Sequence, residues 1–297
     1  MLCLDDLARL VERYSEDLKH TVRSFDVGGK IMDFSHAPQL MGVVNLSPDS
    51  WYRESVCLSL EHAVQRGQTL VTQGAAIVDV GAESSILNAS RADADLQQSR
   101  LVPVVASLSD AGVIVSVETY HPSVAQAGLE AGAAVLNITG PGHARELFRM
   151  AADHGAAVII CYVQGENVRE VGDLRLGDDP IPDMMRFFEK EIKAAESAGV
   201  ERIFVDPGLG FYYRNLTDSS ERVAFQMQTF LNTFRLRRLG WPVCHALPHA
   251  AEFFREEVRC AEPFFATLAA LGKTSLFRTH EVARTRAVLE TMRTWRS

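Results

Sequence analysis

GVIVSVETYHPSVAQAGLEAGAAVLNI, residues 112–138, contains the unit from which the fold follows. Two short apolar runs, GVIVSV (112–117) and AAVLNI (133–138), flank an amphipathic stretch over 122–131. A run apolar at every position is a strand buried on both faces, which is the habit of parallel sheets covered by helices. Moving outward, the same texture recurs at QLMGVVNL (39–46), AAIVDV (75–80), AAVIICYV (156–163), RIFVDP (202–207), WPVCHAL (241–247) and TSLFR (274–278). Helical periodicity fills the spaces, at 59–74, 92–109, 143–154, 182–198, 217–238 and 281–295. Eight strands, each followed by a helical pattern, predict a closed α/β barrel of the (β/α)8 TIM type. The region after 247 is the least regular, with a helix start anywhere from Ala250 to Cys260.

Ahead of the barrel, Leu4, Leu7, Leu10, Val11 and Tyr14 give a helix over 3–19, and Gly28-Gly29 splits two alternating runs into a hairpin. The expected organisation is residues 1–37 as N-terminal helix and hairpin and 38–297 as barrel, one structural domain overall.

The bulk properties exclude several functions. The 297 residues carry 38 acidic against 30 basic groups, a net charge of −8. That argues against nucleic-acid binding, which requires a basic footprint. Five scattered cysteines without a Cys-x-x-Cys pair give neither a disulfide framework nor a zinc site. The N-terminus is charged and amphipathic, unlike a signal peptide, and no apolar run approaches the ~20 residues of a membrane helix. The expectation is a cytoplasmic protein with no membrane partner.

Polar residues interrupt the strands at their C-terminal ends: Asn45, Asp79, Glu83, Glu118, Asn137, Asp206, His245, Arg278 and His280. Any one could cap the next helix. So many together predict a bowl at the barrel mouth, where such folds carry their sites. Asn and Asp suit the amide-like edge of a heteroaromatic ring, and Arg278 with His280 suits an anion. The plain alternative for Arg278 is a surface ion pair with Glu281 or another carboxylate.

These residues fall into motifs that resemble the dihydropteroate synthase family. MGVVNLSPDSW (41–51), GAAIVDVGAESS (74–85), DADLQQSRLVPVV (93–105), SVETYHPSVAQAGLEAGAAVLNITG (116–140), VDPGLGF (205–211) and FRTHEV (277–282) are similar to its signatures, in order, over residues 24–295. The resemblance implies transfer of a pterin from 6-hydroxymethyl-dihydropterin diphosphate to p-aminobenzoate, with Mg2+ assisting, in a homodimer. It implies Asn45, Arg278 and His280 on the diphosphate, with Asn45 also on the metal. Glu118, Asn137 and Asp206 fall to the pterin, and Asp49 to the first loop. Glu118 stands where the family has Asp.

On the acceptor side the chain departs from the pattern. The family's Thr-Arg-Pro becomes Ser85, Ile86 and Leu87, its Ser-Arg-Lys becomes Pro248, His249 and Ala250, and its Gly-Lys becomes Tyr212 and Tyr213 beside Arg214. His249, if protonated, would replace one lost cation. The expectation is a divergent transferase with an altered or weakened p-aminobenzoate site. The alternatives are a non-catalytic pterin-binding paralogue and a methyltetrahydrofolate-dependent methyltransferase.

Overall fold

The computed structural model describes residues 1–34, 36–48, 55–83, 91–173, 179–210, 213, 216 and 218–295. Its order is α1 (Leu4–Arg13), β1 (Phe25–Val27), β2 (Lys30–Met32), β3 (Gln39–Asn45), α2 (Leu60–Thr72), β4 (Ile77–Gly81), α3 (Ala94–Asp110), β5 (Val115–Thr119) and α4 (Pro122–Glu130). There follow β6 (Val135–Ile138), α5 (Ala144–Asp153), β7 (Ala157–Cys161), α6 (Ile181–Ser197), β8 (Ile203–Asp206), α7 (Ser219–Leu236), β9 (Cys244–Ala246), α8 (Ala251–Phe254), α9 (Ala261–Leu271), β10 (Leu276–Thr279) and α10 (Val282–Arg293).

Strands β3 to β10 form one parallel sheet in the order β8-β7-β6-β5-β4-β3-β10-β9. A bridge between Val205 and Val243, with the Val205 N–H on the Pro242 carbonyl at 3.1 Å, joins its two edges. The (β/α)8 barrel expected from the apolar runs is therefore the fold. The irregular stretch after 247 resolves into the single turn α8, a 3-10 segment over Arg255–Cys260, and then α9.

The barrel floor is closed by the N-terminal hairpin. Gly28 and Gly29 both take positive φ, +56° and +83°, the conformation a tight hairpin turn with the right twist requires. A side chain at Gly28 would also meet Ile114 at 3.2 Å, so the turn sits directly against the barrel. Beyond it, Phe25 and Phe34 pack edge-on against Phe204 of β8, at 5.1 and 5.7 Å between ring centroids. With the floor sealed by aromatic rings, the open end is the one bearing the C-terminal ends of the strands.

Residues paired across parallel strands share a face. Asp79 pairs with Ser116, Glu118 with Asn137, Cys161 with Asp206, and Arg278 with Ala246. Strand alternation then carries all of them to the inside. No helix among the described residues is long and apolar enough to cross a membrane.

Phe204→Ala should cost about 3–5 kcal/mol by emptying the floor of the barrel. The check is the urea midpoint at constant m-value. A loss below about 1 kcal/mol would mean that the hairpin does not brace the barrel.

Candidate functional site

The barrel mouth holds a polar set with one cation at its centre. Arg278 Nε donates to Asp79 Oδ2 at 2.7 Å, and its Nη2 donates to Glu118 Oε2. Asn137 Nδ2 donates to the same Asp79 oxygen at 3.3 Å, and the Cys161 thiol donates to Asn137 Oδ1 at 3.4 Å. Asp206 faces this group from β8, its Oδ1 taken by the Gly208 N–H at 2.8 Å. Asp79 is fully buried, yet its Oδ1 has no hydrogen-bond partner among the described residues. Such an atom is costly unless something donates to it. Gly81 keeps the mouth open here, since a Cβ would lie 3.3 Å from Glu118 Oε2.

The electrostatics follow from one guanidinium among several carboxylates. The Glu118 carboxyl is raised to about 7, most of all by burial, with Arg278 opposing the rise and Asp79, Asp206 and Glu83 adding to it. Burial raises Asp206 to about 6 against the Gly208 N–H and Arg278. Burial works against the charge on Arg278, but Glu118 and Asp79 outweigh it and raise its pKa.

Asn45 and Asp206 each accept the N–H two residues on, that of Ser47 at 2.8 Å and of Gly208, so both also shape the loop after their strand. The side-chain helix caps are residues further along the chain: Ser59, Asp93 and Asp218. Capping therefore does not account for the strand-end polar residues.

Several expectations are corrected. Arg278 does not pair with Glu281, which instead holds Arg259 and Arg284. Its contacts are Asp79 and Glu118 at the barrel mouth. His245 does not join the bowl: it is fully buried, 2.7 Å from Thr233 Oγ1 of α7, with its ring tilted against Phe230. The three-residue strand β9 turns Cys244 and Ala246 inward and sends His245 out into the helix layer. His249 cannot replace a lost cation, because burial lowers its pKa to about 4 and leaves it neutral at pH 7. Tyr213 is buried, and its hydroxyl accepts from the Gln164 N–H at 3.3 Å. Glu83 sits above Glu118 on the rim, taking the Tyr120 hydroxyl at 2.6 Å. Asp49, Ser85, Ile86, Leu87, Tyr212 and Arg214 lie outside the described residues.

His280 closes the last strand with its Nδ1 2.8 Å from Glu262 on α9. Neither Glu262 nor Cys161 stood out in the sequence: the first lies on a helix, and the second reads as one more apolar strand residue. On the rim, Glu83, Asp93, Glu166 and Glu170 face a cavity of about 710 Å³ with Arg91, His121 and His143. No group of three or more His, Cys, Asp or Glu among the described residues is arranged to hold a metal ion.

Comparison with known proteins agrees with this fold. Residues 41–247 match the family of pterin binding enzymes. The chain is 30% identical over 227 residues, 73% of each chain, to the dihydropteroate synthase of Synechocystis sp.. It is 31% identical over 219 residues to that of Bacillus subtilis, covering 70% of this chain and 74% of the relative. Among solved structures, it is similar to Xanthomonas albilineans dihydropteroate synthase with 4-aminobenzoic acid, at a TM-score of 0.75 and 28% identity over 92% of this chain and 98% of the other. It is also similar to the same enzyme in complex with 7,8-dihydropteroate, at 0.73 and 27%, with the same coverage. The chain belongs to the dihydropteroate synthase family of pterin-binding transferases.

A carboxyl raised in the folded state favours folding less as pH rises between its unfolded and folded pKa values. For Asp206 that window runs from its ordinary 3.8 to about 6. Replacement by Asn should therefore flatten the fall in stability between pH 4 and 6, measured by urea midpoints. Parallel wild-type and variant profiles would contradict the shift.

Proposed function

We propose that the chain transfers the pterinylmethyl group of a 6-hydroxymethyl-dihydropterin diphosphate to an amine, releasing diphosphate, through an acceptor site altered from the family pattern. The observation that carries the reading is the set of buried Asp79, Asn137 and Asp206 and half-buried Glu118 around one guanidinium, with Asp79 Oδ1 lacking a donor among the described residues. An amino-pyrimidinone edge supplies adjacent N–H donors, and carboxylates accept them in strong charge-assisted pairs. Asp206 and Asn137 would hold that edge, and Glu118 would border the ring.

The reaction forms a C–N bond as the amine attacks the methylene, breaks the C–O bond to diphosphate, and sheds one amine proton. Its main demand is stabilising the departing negative charge. Arg278 and His280 would meet the diphosphate, with Arg278 giving up Glu118 as the anion binds. Asn45 keeps a lone pair on the Oδ1 that takes the Ser47 N–H. One such oxygen fits Mg2+, which retains waters and takes much of its coordination from substrate phosphates. When bound, the ion would neutralise charge on the leaving group. The exposed Phe253 and Phe264 at the α8–α9 corner support the expectation of a homodimer.

Two features support a changed acceptor. His249 and Tyr213 stand where the family pattern has Arg and Lys, and one is neutral while the other is a buried phenol. The rim cavity carries four carboxylates, and Arg91 there is paired with Glu170 at 3.6 Å. Each charged hydrogen bond lost to a carboxylate-bearing amine is worth about 1.5–3 kcal/mol.

Asp206→Ala should abolish dihydropterin binding measured by calorimetry. Wild-type protein that fails to bind at millimolar ligand would end the pterin reading. With p-aminobenzoate, diphosphate release should run about 100-fold or more below that of an ordinary synthase, the effect of losing two such contacts. Comparable turnover would show that the acceptor site retains its cations elsewhere.

A further inference from the structure

Beside the last strand lies a buried carboxylate that the reaction above does not use. Glu262, in the first turn of α9, is fully buried. Its Oε2 accepts from the Thr279 hydroxyl, from the His280 N–H at 3.0 Å and from the Glu281 N–H at 3.1 Å. Its Oε1 is 2.8 Å from His280 Nδ1, with a longer second contact from the His280 N–H at 3.2 Å. A brace for the loop after β10 needs only the donors gathered on Oε2. The best contact of the other oxygen falls on the imidazole.

A carboxylate oxygen surrounded by donors accepts, so the ring nitrogen facing it carries the proton. The tautomer of a histidine is set by the partner of one nitrogen, and the other nitrogen is left to do the work. Around the ring, Arg66 of α2 is on the His280 carbonyl at 2.8 Å, and Glu281 is held by Arg259 and Arg284. His249, close enough to feel the charge of His280, is neutral. Glu262 is thus the carboxylate in contact with the His280 ring among the described residues.

We propose that Glu262 is a positioning residue: it fixes His280 with the proton on Nδ1 and turns Nε2 away from α9, as the nitrogen that meets the anion. The second half of this statement rests on the reading of His280 as part of a diphosphate site. The first half does not.

The test is 15N NMR of the His280 ring at alkaline pH, where an ordinary imidazole is neutral. The wild type should carry its proton on Nδ1; finding it on Nε2 overturns the proposal without any variant. In Glu262→Gln, the amide oxygen must take the Oε2 position, whose partners are all donors. The amide nitrogen then faces Nδ1, which becomes an acceptor, and the ring proton moves to Nε2. An unchanged tautomer in that variant would also overturn the proposal. Thr279→Val removes a hydroxyl from the same carboxylate and should leave the proton on Nδ1, which separates positioning from loop bracing. Adding inorganic diphosphate to the wild type should shift the Nε2 resonance and leave Nδ1 in place. A shift at Nδ1 contradicts the assignment of Nε2. If neither nitrogen responds, the diphosphate reading fails, while the tautomer comparison still decides the role of Glu262.

Discussion

Arg278 is bound to Asp79 and Glu118 at once, and the rest of the barrel mouth is arranged around that pairing. One guanidinium cannot neutralise three carboxylates, and burying charge is costly unless each is paired. The structure answers in two ways. Asp206 and Glu118 are pushed toward their neutral forms, and Asn137 and Cys161 extend a chain of donors into the barrel wall. The remaining deficit is the unpartnered oxygen of Asp79. A flat ligand with several N–H groups would relieve it, so this constraint suits a pterin.

The Glu118 carboxylate takes Nη2 of Arg278 while Nε stays on Asp79. Arg278 is thereby held between two carboxylates of the barrel mouth. Under the proposed function, a pterin diphosphate would exchange these partners, its ring donors going to the carboxylates and its diphosphate to the guanidinium.

The fold was legible because every barrel strand is buried on both faces, so its apolar run stands out whatever the neighbouring loops do. Asn137, Asp206 and Arg278 were legible for the complementary reason, as polar residues breaking runs that should be apolar. His245 reads identically in the sequence and yet points outward. In a strand as short as Cys244–Ala246, parity is set by the register with β10, and a single sequence does not contain that register. The neutrality of His249 comes from burial by segments distant in the chain. Glu262 was silent for a different reason: on an irregularly started helix it resembles any solvated glutamate, and only the packing of α9 against the end of β10 brings it to His280. The strand-end polar residues that meet at the barrel mouth were thus readable, and the groups packed behind them were not.

The most direct measurement is a crystal structure of the protein with a 6-hydroxymethyl-dihydropterin diphosphate analogue. The account predicts the amino-pyrimidinone edge on Asp206 and Asn137, a donor on the second oxygen of Asp79, and Arg278 turned from Glu118 to the diphosphate. A ring bound outside the barrel, or Arg278 still bridging Asp79 and Glu118 with the ligand in place, would contradict it.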